Sequence, residues 1–199
     1  MRINVRSVDF YRLPMTTRFP FCYGIASMTA LPHLFMRVVL DVDGKESVGM
    51  SADGLPPKWF TKNPDTTFEE DLPDMLRVIR FAADAAIDMG HSDTFFNWWH
   101  RLYERQQQWA ATENIPPLLS SFGASLLERA VLDAFCRAVE QPFHKVLNRN
   151  LLGVDAGRLR KNLAGVNPAD VLAVVPSNEL IARHTIGLAD PLTDAEISP

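Results

Sequence analysis

The chain has 199 residues, of which 47% are apolar, with 20 Lys+Arg against 24 Asp+Glu. That is enough to bury a sizeable core in one domain, or in one domain and part of a second. The formal charge of -4 comes with no Lys/Arg cluster, which excludes the electrostatic footprint that nucleic-acid binding needs. No apolar run approaches the length of a membrane-spanning helix. The N-terminus, MRINVRSVDF, has no uninterrupted apolar core of the kind a signal peptide carries. Two cysteines, Cys22 and Cys136, are too few for a disulfide framework, so free thiols in a reducing, cytoplasmic setting are expected, with neither nucleic acid nor membrane as partner.

Taken in chain order, Ile3, Val5, Val8, Phe10 and Leu13 mark a first strand whose alternation slips once between Val5 and Val8, as at a bulge. Residues 19–33, FPFCYGIASMTALPH, then place three aromatics within five residues and are expected to form a long apolar loop. Residues 34–42 are rich in β-branched and aromatic side chains, and Asp43-Gly44 is a strong hairpin signal before a return strand at 45–51. A three-stranded antiparallel meander follows from these signals. A second loop, SADGLPPKWFTKNPDTTFEED, comes after it, dense in Pro, Gly, Asp and Thr.

Helices take over from there. Leu72, Leu76, Ile79, Ala83 and Ala86 share one helical face, with Thr67 or Asp71 as candidate caps, Pro73 in the first turn and Gly90 as the stop. A second helix from about Ser92-Asp93 is expected to turn Phe95, Trp99, Leu102 and Trp109 to one side. Trp98 and Trp99 cannot both face one core, so one of them should pack elsewhere. Pro116-Pro117 opens a third helix with Leu127, Val131, Ala134 and Ala138 in step, and a short helix follows Pro142. Residues 167–175 suggest one more short helix, and residues 180–187, LIARHTIG, suggest a strand with no nearby partner. The layout is α+β: a meander followed by a helical bundle.

Residues 121–147, SFGASLLERAVLDAFCRAVEQPFHKVL, hold an Ala-x-x-Asp-Ala pattern at Ala130 to Ala134, followed by Gln141-Pro142. With the strand RVVLDVDGKESVGMSA and the stretch IARHTIGLAD, this order of parts resembles the N-terminal half of the enolase superfamily, in its mandelate racemase and muconate lactonizing group. The resemblance implies an enolase N-terminal-like capping domain at 1–150, then a linker and the start of a truncated TIM-like barrel at 151–199. In such enzymes the site lies at the mouth of the barrel, and two cap loops, here residues 15–31 and 51–68 by position, close it.

By the same resemblance the intact enzyme would be an isomerase or lyase. It would abstract the α-proton of a small carboxylate substrate with Mg2+ bound, and it would be a homo-oligomer. The catalytic and metal-binding residues are not expected in this chain, which would need its own missing barrel domain and be inactive alone. Substrate-contacting candidates are Phe19, Phe21, Tyr23, Met28, Trp59, Phe60 and Thr185, each with ordinary packing as the alternative. Lys58 reads as a solvated surface lysine that could instead meet a carboxylate, and Glu69-Glu70-Asp71 as first-turn charge complementing a helix dipole. The competing reading is a non-enzymatic α+β binding or assembly module that holds a protein partner with the same exposed aromatics.

Overall fold

Strand β2, Ala26–Val42, alternates along its inner half: Leu34, Met36, Val38, Leu40 and Val42 are buried, while Phe35, Arg37 and Val39 between them are only partly so. In the computed structural model, which describes residues 1–23, 26–183 and 193–196, β2 is the centre of an antiparallel sheet of order β1-β2-β3. β1 is Ile3–Tyr23 and β3 is Lys45–Gly54. The register slips between Val5 and Ser7, which is the expected bulge. Asp43 and Gly44 turn the β2–β3 hairpin with φ of 50° and 89°, the paired positive values of a type I′ turn.

The expected loop at residues 15–31 is instead mostly strand. β1 and β2 stay paired beyond the end of β3, from Pro14 opposite Pro32 out to Tyr23 opposite Ala26, with one register shift between Thr16 and Phe21. A two-stranded arm therefore projects from the sheet. Pro14 and Pro32 face one another in it, so their two missing amides fall on a single rung of the ladder.

Helix α1, Phe68–Asp88, starts with a capping box. Thr67 Oγ1 accepts from the Glu70 amide (3.2 Å), while the Thr67 amide donates to Glu70 Oε2 (2.7 Å). Between the two expected caps, Thr67 is the one used. Helix α2, Phe95–Thr112, is capped by Thr94, and its inner face runs Phe95, Trp98, Leu102, Gln106 and Ala110. Phe95 and Leu102 thus face the core as expected, while Trp98 takes the place expected of Trp99, and Ala110 that expected of Trp109. Trp99 is half-buried, stacks on Tyr103 at 5.7 Å and donates through Nε1 to Glu128 Oε2 (3.0 Å).

Helix α3, Pro117–Ala138, packs against both the sheet and α1. A Cβ on Gly49 would collide with the backbone of Ala130 and Ala134, and one on Gly123 with the Val78 carbonyl. Glycine at these two places lets α3 lie directly on β3 and α1. Asp133 of the Ala-x-x-Asp-Ala pattern accepts from the Met50 amide (3.0 Å), Ser51 Oγ donates to the Leu126 carbonyl (2.7 Å), and Arg129 donates to the Ala52 carbonyl (3.3 Å). The first and last of these bonds engage backbone groups on the free edge of β3. Buried Gln106 joins the helices by donating to the carbonyls of Val78 (2.9 Å) and Ser120 (3.1 Å).

Beyond α4, Phe143–Asn148, the chain stays on the bundle as far as Leu152, which is buried and whose carbonyl accepts from the Phe96 amide (3.0 Å). A short α5, Pro168–Val171, follows. The strand expected at 180–187 is not seen in residues 180–183, where Leu180 and Ile181 are exposed, and residues 184–187 lie outside the described part.

Candidate functional site

The segment after β3 is pinned at both ends. The Leu55 amide donates to the Pro32 carbonyl (2.9 Å), and Leu55 and Pro57 are buried. Next comes a single 3₁₀ turn, Pro57–Trp59. Lys58 in that turn is not a solvated lysine. Its Nζ lies 2.7 Å from Asp71 Oδ2, with the two side chains only 10% and 6% exposed. It also donates to the carbonyls of Asn63 (2.8 Å) and Thr66 (2.5 Å) and to Thr66 Oγ1 (2.9 Å). Asp71 is correspondingly a buried partner of the lysine as well as first-turn charge, and Thr66 Oγ1 donates to it too (3.1 Å).

With its neighbour held inward, the turn carries Trp59, which is exposed, and leads to Phe60, whose ring lies 5.2 Å from that of Phe122 on α3. From the arm come Phe21 and Met28, which face one another across the ladder, together with Leu31 and His33. Asp53, Gly54 and Pro56 complete the wall of an open cleft of about 470 Å³. A second cleft of the same volume lies between the arm and the start of α1, lined among others by Arg12, Met15, Phe68 and Leu72. Met28 and Leu31 border both.

Four of the candidates read from the sequence, Phe21, Met28, Trp59 and Phe60, therefore meet in one place. Phe19 is half-buried and lines neither cleft. Tyr23 pairs with Ala26 at the arm's end through its backbone, and its side chain lies outside the described part. Thr185 lies outside the described residues altogether. Sequence reasoning missed His33, Asp53 and Phe122. His33 could have been found, since it alternates with Leu31 and Phe35 on one face of β2. Phe122 could not, because its position on α3 says only that it borders the core.

Chemically this is an aromatic and thioether wall suited to the apolar body of a small molecule. The titratable side chains on it are His33, whose ring is 5.1 Å from that of Phe35, and Asp53, which is held by Arg129 at 2.7 Å. Perturbed acids lie elsewhere. Burial pushes the Glu128 carboxyl up despite the Trp99 N–H, and burial followed by the charge of Asp133 pushes the Cys136 thiol up. Among the described residues no group of three or more His, Cys, Asp or Glu is placed to hold a metal ion, and no helix is long and apolar enough to cross a membrane.

No family model and no curated protein sequence matches the chain. Solved structures do. The chain is similar to an enolase from alpha pretobacterium bal199 with bound Mg, at 16% identity and a TM-score of 0.47, over 73% of this chain and 34% of that one. It is similar to an enolase from Bradyrhizobium complexed with magnesium and mandelic acid, at 14% identity and a TM-score of 0.45, over 74% and 35% of the two chains. A mandelate racemase/muconate lactonizing enzyme-like protein from Rubrobacter xylanophilus matches at 12% identity and a TM-score of 0.47, over 73% and 33%. The chain spans about a third of the length of these proteins.

Proposed function

We propose that this chain is the substrate-covering front part of a larger Mg2+-dependent enzyme of the enolase superfamily. That enzyme would remove the α-proton of a small carboxylate, such as a sugar acid, hydroxy acid or dipeptide, as a racemase, dehydratase or cycloisomerase does. The observation that carries the reading is the convergence of Phe21 and Met28 from the arm with Trp59 and Phe60 from the post-β3 turn on one open cleft. These two segments are the ones that the sequence resemblance assigns to closing a barrel mouth.

An apolar wall over a reacting carboxylate excludes water and strengthens the electrostatics beneath it, and its shape selects the substrate. The described residues do not fit the metal: no group of three or more His, Cys, Asp or Glu among them is placed to hold it, and Asp53 on the cleft wall is paired with Arg129. No catalytic step is therefore assigned to them, and base and metal ligands belong, in this reading, to the rest of the enzyme.

The test is kinetic. In the intact enzyme, Trp59→Ala and Phe21→Ala should each raise KM about tenfold or more, the loss of roughly 1.4 kcal/mol of substrate contact. Unchanged kcat and KM in both variants would overturn the assignment.

A further inference from the structure

Where the chain runs on from the bundle, polar contacts hold it more than apolar burial does. Residues 156–166 include the 3₁₀ turns Ala156–Arg158 and Lys161–Leu163. No apolar side chain among them is part of the core, and Leu159 and Leu163 are 42% and 39% exposed. Among the described residues, the hydrogen bonds from this stretch to the bundle are those of Arg158. Its guanidinium lies over the Phe96 ring at 5.7 Å, donates through Nη1 to Asn97 Oδ1 (2.5 Å) and brings Nη2 to 3.4 Å from His100 Nδ1.

That nitrogen of His100 faces two partners. Glu104, one turn further along α2, places Oε2 3.3 Å from the same Nδ1. Arg158 has only N–H groups to offer, so Nδ1 meets it as an acceptor, which requires the neutral ring with its proton on Nε2. In the charged ring Nδ1–H donates to Glu104 instead, and the imidazolium stands against the guanidinium. Glu104 sits on the helix that carries His100, so its attraction is the same whether or not the following stretch is docked. The repulsion from Arg158 exists only when that stretch is docked, so a proton on His100 works against docking. Other charged groups on the packed elements are engaged elsewhere. Arg101 donates to the carbonyls of Met89 and His91, Arg105 pairs with Asp88, Asp155 accepts from the Gly157 amide, and Glu128 of α3 accepts from Trp99.

We infer that His100 is a proton-operated clasp, which in its neutral form helps to hold residues 156–163 on α2 and in its charged form lets them go. Histidine is the side chain that ordinarily changes charge between about pH 5 and 8. Asn97 and Phe96 keep their contacts with Arg158 in either state, so acid loosens this stretch without unfolding the bundle. Because it connects the bundle to all that follows in the chain, the clasp makes the firmness of that tether depend on pH.

Solvent-exchange NMR of the 199-residue chain tests it. The Leu159 and Arg160 amides both donate to the Ala156 carbonyl, at 3.1 and 2.9 Å. From about pH 7.5 to 5.5 their protection, corrected for intrinsic exchange, should fall about threefold or more, the size of a partly exposed charge contact. His100→Gln keeps an acceptor but does not titrate, so it should hold the stretch docked in acid and abolish the step. Arg158→Ala, a change at an exposed side chain, should leave both amides poorly protected at either pH while keeping the far-UV circular dichroism of the parent. A parent whose protection is the same at both ends of this range overturns the inference. So does a step that persists in His100→Gln or in Arg158→Ala.

Discussion

Lys58 Nζ and Asp71 Oδ2 lie 2.7 Å apart with hardly any solvent access, joining the turn after β3 to the first turn of α1. Removing one partner of such a pair strands a desolvated charge, which typically costs about 3–5 kcal/mol. Lys58→Met and Asp71→Ala should each lower the urea midpoint accordingly. The double variant should lose less than the sum of the two, since neither charge is then left alone. Additive losses would mean that the two side chains do not depend on one another.

Gly49 and Gly123 are predicted to be irreplaceable for a steric reason and not a conformational one. Neither has the positive φ that favours glycine, yet an added Cβ meets backbone of α3 or α1 in each case. Backbone cannot rotate away as a side chain can, so Gly49→Ala and Gly123→Ala should each cost on the order of 1–3 kcal/mol in denaturant unfolding. Gly90→Ala would be strained by its φ of 61° but meets no atom.

Asp133 explains a short sequence pattern in physical terms. It is the acceptor for the Met50 amide on the β3 edge, and it also accepts from Arg137 Nε at 3.0 Å. Asp133→Ala leaves that amide without its partner and should destabilise by about 1–3 kcal/mol. Amide hydrogen exchange should quicken at Met50 before it does at the centre of β2.

The pH profile should carry two opposed signs. Glu128 has its carboxyl raised by burial, so the folded state holds that proton more tightly than the unfolded chain does. Its contribution is present at low pH and is lost as pH rises through the raised value. Glu128→Gln, which keeps an acceptor for the Trp99 N–H, should therefore be at least as stable as the parent at neutral pH and lose that advantage in acid. Asp41, lowered first by its hydrogen bond from Arg6, and Glu70, lowered first by the Thr67 amide, act the other way, and their stabilisation fades as pH falls. Thermal unfolding from pH 3 to 8 checks both signs.

Local signals in the sequence proved reliable where one short-range interaction decides the outcome. Asp43-Gly44, the Val5–Ser7 slip and the Thr67 cap all appear where the residues themselves place them. The arm was hidden because residues 19–33 read as a long apolar loop, and only pairing between strands reveals that Pro14 and Pro32 share a rung. Trp98 and Trp99 were exchanged because adjacent residues on a helix differ by about 100°, and the choice of inner face depends on where α1 and α3 press. Lys58 looked solvated because its partner lies thirteen residues on and its burial comes from a loop fold that no periodicity encodes. Of the candidate site, the aromatic members were legible as apolar residues out of place. Their convergence needed the three-dimensional course of the arm.

Isotope exchange tests the central claim most directly. Small α-substituted carboxylates are incubated in D2O with Mg2+, and deuterium at the α-carbon is followed by NMR, for the 199-residue chain alone and for the intact enzyme. The account predicts exchange by the intact enzyme, weakened by Trp59→Ala, and none by the chain alone. Mg2+-dependent exchange catalysed by the chain alone would contradict it.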